Sequence, residues 1–383
     1  MIKKEKARTI IQIHDIQGWG GAERVACLME TTYERHGHTV IDFYGKKTLT
    51  SPIRRVYNTK DKKRLEEILD ANDVTFAHIH NIHEALGPSI LKPLRERGIR
   101  TIATLHDYHF ICPVVTMDCG EAKNCTRCDL ERRGWRLPLD KLQASVRDDL
   151  LDTIDTFVCP SRFLLERFYE VFELRDRLVH IPNGVFIDDF TPSYPEQART
   201  FYFGGKIAFH KGVKDLLRAF EDLQEDMKDA RLLISGDGKD RVWVENYIRK
   251  HELGKVVEYV GMLPEDFLNE FRSNVDIAIL PSLWPENASI FLLEMMALRK
   301  PVIASNAGGN VEIVTHKRDG LTYEAGHLRE LEDAIWTMYD QPKIVQDLAK
   351  AARQTIEYRF NIEKIYEQYE ELLQNGAGKL RKH

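Results

Sequence analysis

The sequence predicts an α/β protein built as two Rossmann-like, doubly wound parallel-sheet domains facing across a cleft. Three observations lead there. At 383 residues the chain passes the size at which a single hydrophobic core keeps growing, so two domains are the natural arrangement. Short apolar runs alternate with segments of helical period, the pattern of strands buried on both faces by crossover helices. The alternation also occurs twice, on either side of a Pro-Asn-Gly turn.

In the first series TIIQIHD, TVIDFY, VTFAHIH and TIATLHD read as strands, with AERVACLMETTYERHG and the stretch ending at RERG as helices between them. After Cys128 come an amphipathic stretch from Leu139 to Ile154, the apolar run TFVCP, a helix near Phe163 to Phe172, and LVHIPNGV. That turn and the following TPSYPE mark a hinge near 182–196. The second series runs TFYFGG, VKDLLRAFEDL, ARLLISGDG, a helix to about Leu253, VVEYVG, a short helix, VDIAILPS, a helix through Leu298, and PVIAS. From Leu328 onward the pattern is helical, and FNIEKIYEQYEELLQ has apolar residues at helical spacing. These readings place one domain at 1–185 and a second at 186–357, with a terminal helix at about 358–376 packing back on the first.

Composition narrows the function. Hydrophobic residues make up 43% and charged residues 30%, which describes a globular protein rather than a fibrous or disordered one. A net charge of -5 gives no electrostatic basis for neutralising many phosphates, so a nucleic-acid binder is disfavoured. The start, MIKKEKARTIIQIHD, has too short an apolar run for a secretory signal, and no stretch approaches the ~20 apolar residues that span a bilayer. A cytoplasmic location is therefore expected. Four of the six cysteines crowd into one segment, Cys112, Cys119, Cys125 and Cys128, while Cys27 and Cys159 stand apart in apolar contexts. Structural disulfides are not expected in a reducing compartment. Only the final CTRC has a familiar metal-ligand spacing, so structural zinc competes with thiols in a loop.

The most informative segment is WPENASIFLLEMMALRKPVIAS. Glu286 precedes a helix and Glu294 lies eight positions on, ~12 Å at helical rise. That separation is comparable with a sugar-diphosphate-ribose unit, so one carboxylate could accept from sugar hydroxyls and the other from ribose hydroxyls. Between them Asn287, Ala288, Ser289, Ile290 and Phe291 open the helix with unpaired N–H groups and the positive end of its dipole, a ready anion site for a diphosphate. The alternative is a dipole-favoured Glu286 and a solvated Glu294. Because the segment follows the apolar run VDIAILPS, it sits at a strand's carboxyl end, where open parallel sheets bind ligands.

A second site signal is FYFGGKIAFHKGV, where a strand leads into a glycine pair and the cations Lys206 and Lys211, which are either suited to a diphosphate leaving group or ordinary surface charges in a loop. In IHDIQGWGGAER, Gly20 and Gly21 permit close backbone approach before a helix start. This is not the GxGxxG fingerprint, and Asp42 lies inside its strand, so a nicotinamide cofactor is disfavoured. The run TIATLHDYHF ends at His106 and Asp107, at the mouth of the first sheet, where His106 is either structural or in contact with a substrate. The companions His78, His80, His83 and His109 admit a metal reading, which ranks well below a structural one, and no metal is assigned to the site.

Together these segments resemble glycosyltransferase family 4, the retaining enzymes of GT-B architecture. The matching segments are GGAER, LHD at 105–107, IPNGV at 181–185, GKIAFHKG at 205–212, LLISGDG at 232–238, VEYVG at 257–261, and PENASIFLLE followed by KPVIASNAGG. The resemblance implies that Glu286 lies by the donor sugar, Glu294 holds the ribose, Lys206 and Lys211 bind the diphosphate, His106 touches the sugar, and Gly20 and Gly21 approach the phosphates. Catalysis would fall to Glu286, His106 and Lys211. Two departures stand out: the family usually has Arg at Lys206 and a Phe-Gly pair at Ala288 and Ser289. Lysine keeps the charge but loses the bidentate fork.

The expected reaction is transfer of a sugar, with retention, from a nucleotide diphosphate donor (a UDP-sugar favoured over a GDP-sugar) to a hydroxyl of a glycan or lipid-linked acceptor. No metal is required for catalysis in this scheme. Peripheral contact with the inner membrane face is allowed only by analogy. The rivals are a nucleotide-sugar epimerase or hydrolase, and a non-catalytic donor-binding protein.

Overall fold

The computed structural model describes residues 7–15, 20–45, 58–83, 85–109, 152–171 and 176–375. The cysteine segment, with Cys112, Cys119, Cys125 and Cys128, lies outside the described residues, as do 16–19 of the first loop. The chain divides into two compact units, 1–182 with 365–383, and 183–364.

The first unit carries a six-stranded sheet in the order β2-β1-β3-β4-β5-β6. Its strands are β1 (Thr9–His14), β2 (Thr39–Tyr44), β3 (Phe76–Ile79), β4 (Arg100–Thr104), β5 (Thr156–Cys159) and β6 (Leu178–His180). Every neighbouring pair is parallel. Helices α1 (Gly21–Arg35), α2 (Thr59–Ala71), α3 (Leu91–Glu96) and α4 (Arg162–Val171) make the crossovers. Central strands are buried on both faces: Ile10, Ile11, Ile13, Ala77, Ile79 and Phe157 have no exposed surface. Cys159 is buried as its apolar context implies, but Cys27 is exposed on α1, because it falls on the outward face of an amphipathic helix.

The second unit repeats the plan with β7 (Thr200–Gly204), β8 (Arg231–Ser235), β9 (Val257–Gly261), β10 (Ile277–Leu280), β11 (Val302–Ser305) and β12 (Leu321–Tyr323). Its helices are α5 (Val213–Leu223), α6 (Arg241–Lys250), α7 (Glu265–Ser273), α8 (Ile290–Ala297), α9 (Asn310–Ile313), α10 (Leu328–Asp340) and α11 (Pro342–Arg359). The parallel order β12-β11-β10-β7-β8-β9 has the doubly wound 3-2-1-4-5-6 topology. Its direction of winding reverses between β7 and β10, which pair Ile277 with Phe201 and Ala278 with Tyr202. A ligand crevice is expected at the carboxyl ends of those two strands.

The last helix, α12 (Ile362–Asn375), crosses the boundary between the units. Within the first unit Arg8 Nη1 donates to Glu370 Oε1 at 3.1 Å, His38 Nε2 and Tyr366 Oη lie 2.7 Å apart, and Thr104 Oγ1 and Tyr369 Oη 3.3 Å apart. The units part at 182 and 364 rather than at 185 and 357. The physical reason is local: Val185 N donates to Phe360 O at 2.9 Å and Ile362 N to Val185 O at 3.0 Å, which holds these segments together in the second unit.

Candidate functional site

The site begins with how β7 and β10 end. After β7 the chain turns through Phe209–Lys211 and reaches Gly212 in the left-handed region at φ +76. A Cβ on Gly212 would lie 1.7 Å from Pro281 O, so only glycine lets this loop pack on the end of β10. Leu283 N and Trp284 N both donate to His210 O, at 2.8 and 3.3 Å, which ties the loops edge to edge. Lys211 is thereby carried to Glu286: its Nζ donates to Glu286 Oε1 at 2.7 Å and stands 4.8 Å from the centroid of the Trp284 ring. Ser282 Oγ donates to the same Oε1. Burial, with Lys211 next in weight, pushes His210 down to about 4, so its imidazole is neutral and leaves the positive charge to the lysine.

Glu286 is only 6% exposed, and its backbone is fixed as firmly as its side chain. It forms an isolated parallel bridge with Gly308, and Gly309 N donates to Glu286 O at 2.6 Å. Gly308 has φ +63, and a Cβ there would meet Glu286 O at 2.3 Å. Glu286 is therefore part of an extended segment and not of the helix. Glu286 precedes the helix, as the sequence indicated, but the ~12 Å taken from helical rise does not apply across 286–289, because α8 starts only at Ile290, with Ser289 as N-cap accepting from Leu292 N through its hydroxyl. Of the five residues expected to open the helix, Asn287 and Ala288 precede it, Ser289 caps it, and Ile290 and Phe291 form its first turn. Asn183 Nδ2 donates to Ala288 O at 3.1 Å, so this carbonyl is held in place.

Glu294 lies in the middle of α8, among Leu292, Leu293, Met295 and Met296, all without exposed surface. A carboxylate in such surroundings requires a partner. Arg272, at the end of α7, supplies it, with Nη1 donating to Glu294 Oε2 at 2.6 Å. Phe291 packs at 5.6 Å from the Tyr202 ring, and the Arg272 guanidinium stands 5.8 Å from the Phe291 centroid. Burial works against the Arg272 charge, but Glu294 and Tyr202 more than offset it and raise its pKa.

Of the two lysines, Lys211 is at the junction and Lys206 is exposed in the loop before it. Gly20 is the N-cap of α1 and Gly21 its first residue. Neither has a positive φ; a Cβ on Gly20 would meet the Glu23 carboxylate at 2.2 Å, the end of a flexible side chain, whereas one on Gly21 would meet nothing within 4 Å. In the first unit His106 Nε2 lies 2.8 Å from His80 Nδ1, with their rings stacked at 5.0 Å. Burial pushes His106 down to about 4, with Asp107 acting in the opposite direction, so the ring is neutral at pH 7.

Sequence reasoning missed Ser282, Trp284, Arg272 and Gly308. Ser282 had a signal, since it closes the apolar run of β10 where a ligand site was expected. Arg272 had none: its partner is 22 residues away.

Comparisons with known proteins bear on the family and the fold. The model of "Glycosyltransferase Family 4" matches residues 19–189 and that of "Glycosyl transferases group 1" residues 187–355. The glycogen synthase of Mycobacterium tuberculosis is 30% identical over 157 residues, 41% of this chain and 38% of that protein. The chain thus spans well under half the length of that relative. Sucrose-phosphate synthase of Thermosynechococcus elongatus superposes with a TM-score of 0.73 over 95% of this chain and 98% of its own, at 18% identity. Anabaena HepE, solved in complex with UDP and glucose, gives 0.71 over 96% and 99%, at 16% identity. The fold is GT-B, and the chain belongs to the group 1, family 4 glycosyltransferases.

Proposed function

We propose that this chain transfers a sugar from a nucleotide diphosphate donor to an acceptor hydroxyl with retention of configuration, and that a UDP-sugar is the favoured donor. The observation that carries the proposal is the Lys211–Glu286 pair at the point where the second sheet reverses its winding, beside the amino end of α8. Among the described residues the side-chain partners of Glu286, Lys211 and Ser282, both fall on Oε1, which leaves Oε2 for hydroxyls of the donor sugar.

In this reading the diphosphate is bound by Lys211, by the exposed Lys206, and by the first-turn amides of Ile290 and Phe291, which have no intrahelical acceptor. As the bond to the leaving group breaks, negative charge grows on the diphosphate; Lys211, already held by Glu286, and the helix-end dipoles stabilise it with little reorganisation, and Lys206 adds charge from the loop. Glu294, oriented by Arg272, receives the ribose hydroxyls. His106 keeps the part that the family resemblance gives it, contact with the transferred sugar, where a neutral imidazole can exchange hydrogen bonds with hydroxyls. The UDP in HepE supports a uridine donor. Transfer to a hydroxyl of a glycan or lipid-linked molecule, at the inner membrane face or in the cytoplasm, completes the proposal. Among the described residues no helix is long and apolar enough to cross a membrane.

The test is a thermal-shift panel of UDP- and GDP-sugars, followed by assay of nucleotide release with and without hydroxyl acceptors. Stabilisation by a UDP-sugar and release that depends on acceptor support the proposal. Release at the same rate without acceptor points instead to a hydrolase or epimerase.

A further inference from the structure

In the first unit, three side chains of metal-ligand type converge. His83 follows β3, and Asp107 and His109 follow β4. The convergence is a consequence of register: β3 and β4 run parallel with Ile79 opposite Ala103, so their loops leave the sheet side by side. His83 and Asp107 each stand four residues beyond that pair. Buried apolar residues hold both loops down, Ile82 at 2% exposure and Tyr108 at 0%, the latter packed edge-on against Phe163 at 6.5 Å. Asp107 and His109 therefore flank a fixed anchor.

One ligand atom from each of the three residues lies within 4.8 Å of the other two. The His83 and His109 rings stack at 4.3 Å, 24° from parallel, with Asp107 Oδ1 2.7 Å from His109 Nδ1. Supporting groups stand behind them. Asn81 Nδ2 donates to Asp107 Oδ2 at 3.2 Å. Asp15 Oδ2 lies 3.7 Å from His83 Nδ1, while its Oδ1 accepts from Ala85 N and Leu86 N at 2.9 and 3.2 Å. The Asp15 carboxylate, itself held by backbone amides, is thus a close charged neighbour of the His83 imidazole, although 3.7 Å is longer than a hydrogen bond.

We propose that His83, Asp107 and His109 form a binding site for a divalent first-row transition ion of the zinc class. Two imidazole nitrogens and one carboxylate oxygen match the ligand preferences of Zn²⁺ and its neighbours and not those of Mg²⁺, which takes oxygen ligands. Three protein ligands leave at least one position for water. The ion ties the loop after β3 to the loop after β4.

The experiment uses the full chain, stripped with chelator and titrated with Zn²⁺, Co²⁺ or Mg²⁺ alone. Zn²⁺ raises the unfolding temperature and is retained after desalting, whereas Mg²⁺ does neither. Substituting His83→Gln and His109→Gln together abolishes one equivalent of bound zinc, and Asp107→Asn weakens binding at least ten-fold. If the double variant fails to fold, His83→Gln alone reads the same loss. Cobalt separates this site from the cysteine segment: ligation by nitrogen and oxygen lacks thiolate charge-transfer absorption and survives Cys125→Ser with Cys128→Ser. The proposal is overturned if the stripped chain takes up no zinc, if the histidine variants bind as much as the parent, or if the cysteine substitutions remove all uptake.

Discussion

Arg272 and Glu294 form a buried ion pair at 2.6 Å, with side chains 9% and 5% exposed. The pair explains how α8 tolerates a carboxylate on an apolar helix: two charges taken from water together cost less than one left alone. It also sets one function of Arg272, to fix the rotamer of the residue proposed to receive the ribose. Replacing Arg272 with Met strands Glu294 and should lower stability by about 3–5 kcal/mol, the usual cost of orphaning a buried charge. Urea unfolding of Arg272→Met against the parent measures this. An unchanged midpoint would mean that Glu294 finds other partners or takes up a proton at no cost.

Much of the second unit was legible before its structure. The runs ending in GGK and PSLWPE are strands because β-branched and aromatic residues buried on both faces leave few alternatives, and polar residues at their ends fall where a doubly wound sheet binds ligands. What was not legible depends on contacts distant in sequence. Nothing in the helical period of α7 says that Arg272 turns inward, or that its partner lies on α8. The helical rise between Glu286 and Glu294 assumed a continuous helix, whereas the bridge between Glu286 and Gly308 draws the first glutamate into an extended segment. Such a bridge is invisible without the approach of the loop after β11.

Gly308 gives the most direct test of that bridge. Alanine at φ +63 costs roughly 1–2 kcal/mol from the left-handed backbone alone, and its Cβ would stand 2.3 Å from Glu286 O. Gly308→Ala should therefore lower both stability and nucleotide-sugar turnover. Gly21→Ala, where a Cβ meets nothing within 4 Å, should leave stability within about 0.5 kcal/mol of the parent. Equal unfolding midpoints for the two variants would remove the structural role given to Gly308.

The first unit should be acid-sensitive through His78. Burial, aided by His106, pushes its pKa from 6.5 down to about 3. Between those values the unfolded chain binds more protons than the folded one, so stability is complete above pH 6.5 and falls as pH drops toward 3. The slope from this group is about 1.4 kcal/mol per pH unit. Unfolding measured at pH 7 and pH 5.5 should show the loss, and His78→Gln should flatten the profile. An unchanged slope in the variant would assign the acid sensitivity elsewhere.

Glu286→Gln keeps the shape and removes the charge that faces Lys211. If Glu286 acts on the donor sugar during transfer, kcat should fall about 10²–10³-fold, with donor affinity changed less. Steady-state kinetics separate the two effects. A raised KM with normal kcat would make Glu286 a binding residue only.

Lys211 tests the central claim most directly. Calorimetric titration of the parent chain with UDP and with uridine should show a large gain from the diphosphate, and Lys211→Ala should erase at least ten-fold of that gain while uridine binding stays the same. If UDP binds the variant as tightly as the parent, or binds neither, the junction of β7 and β10 is not a diphosphate site and the functional assignment built on it is wrong.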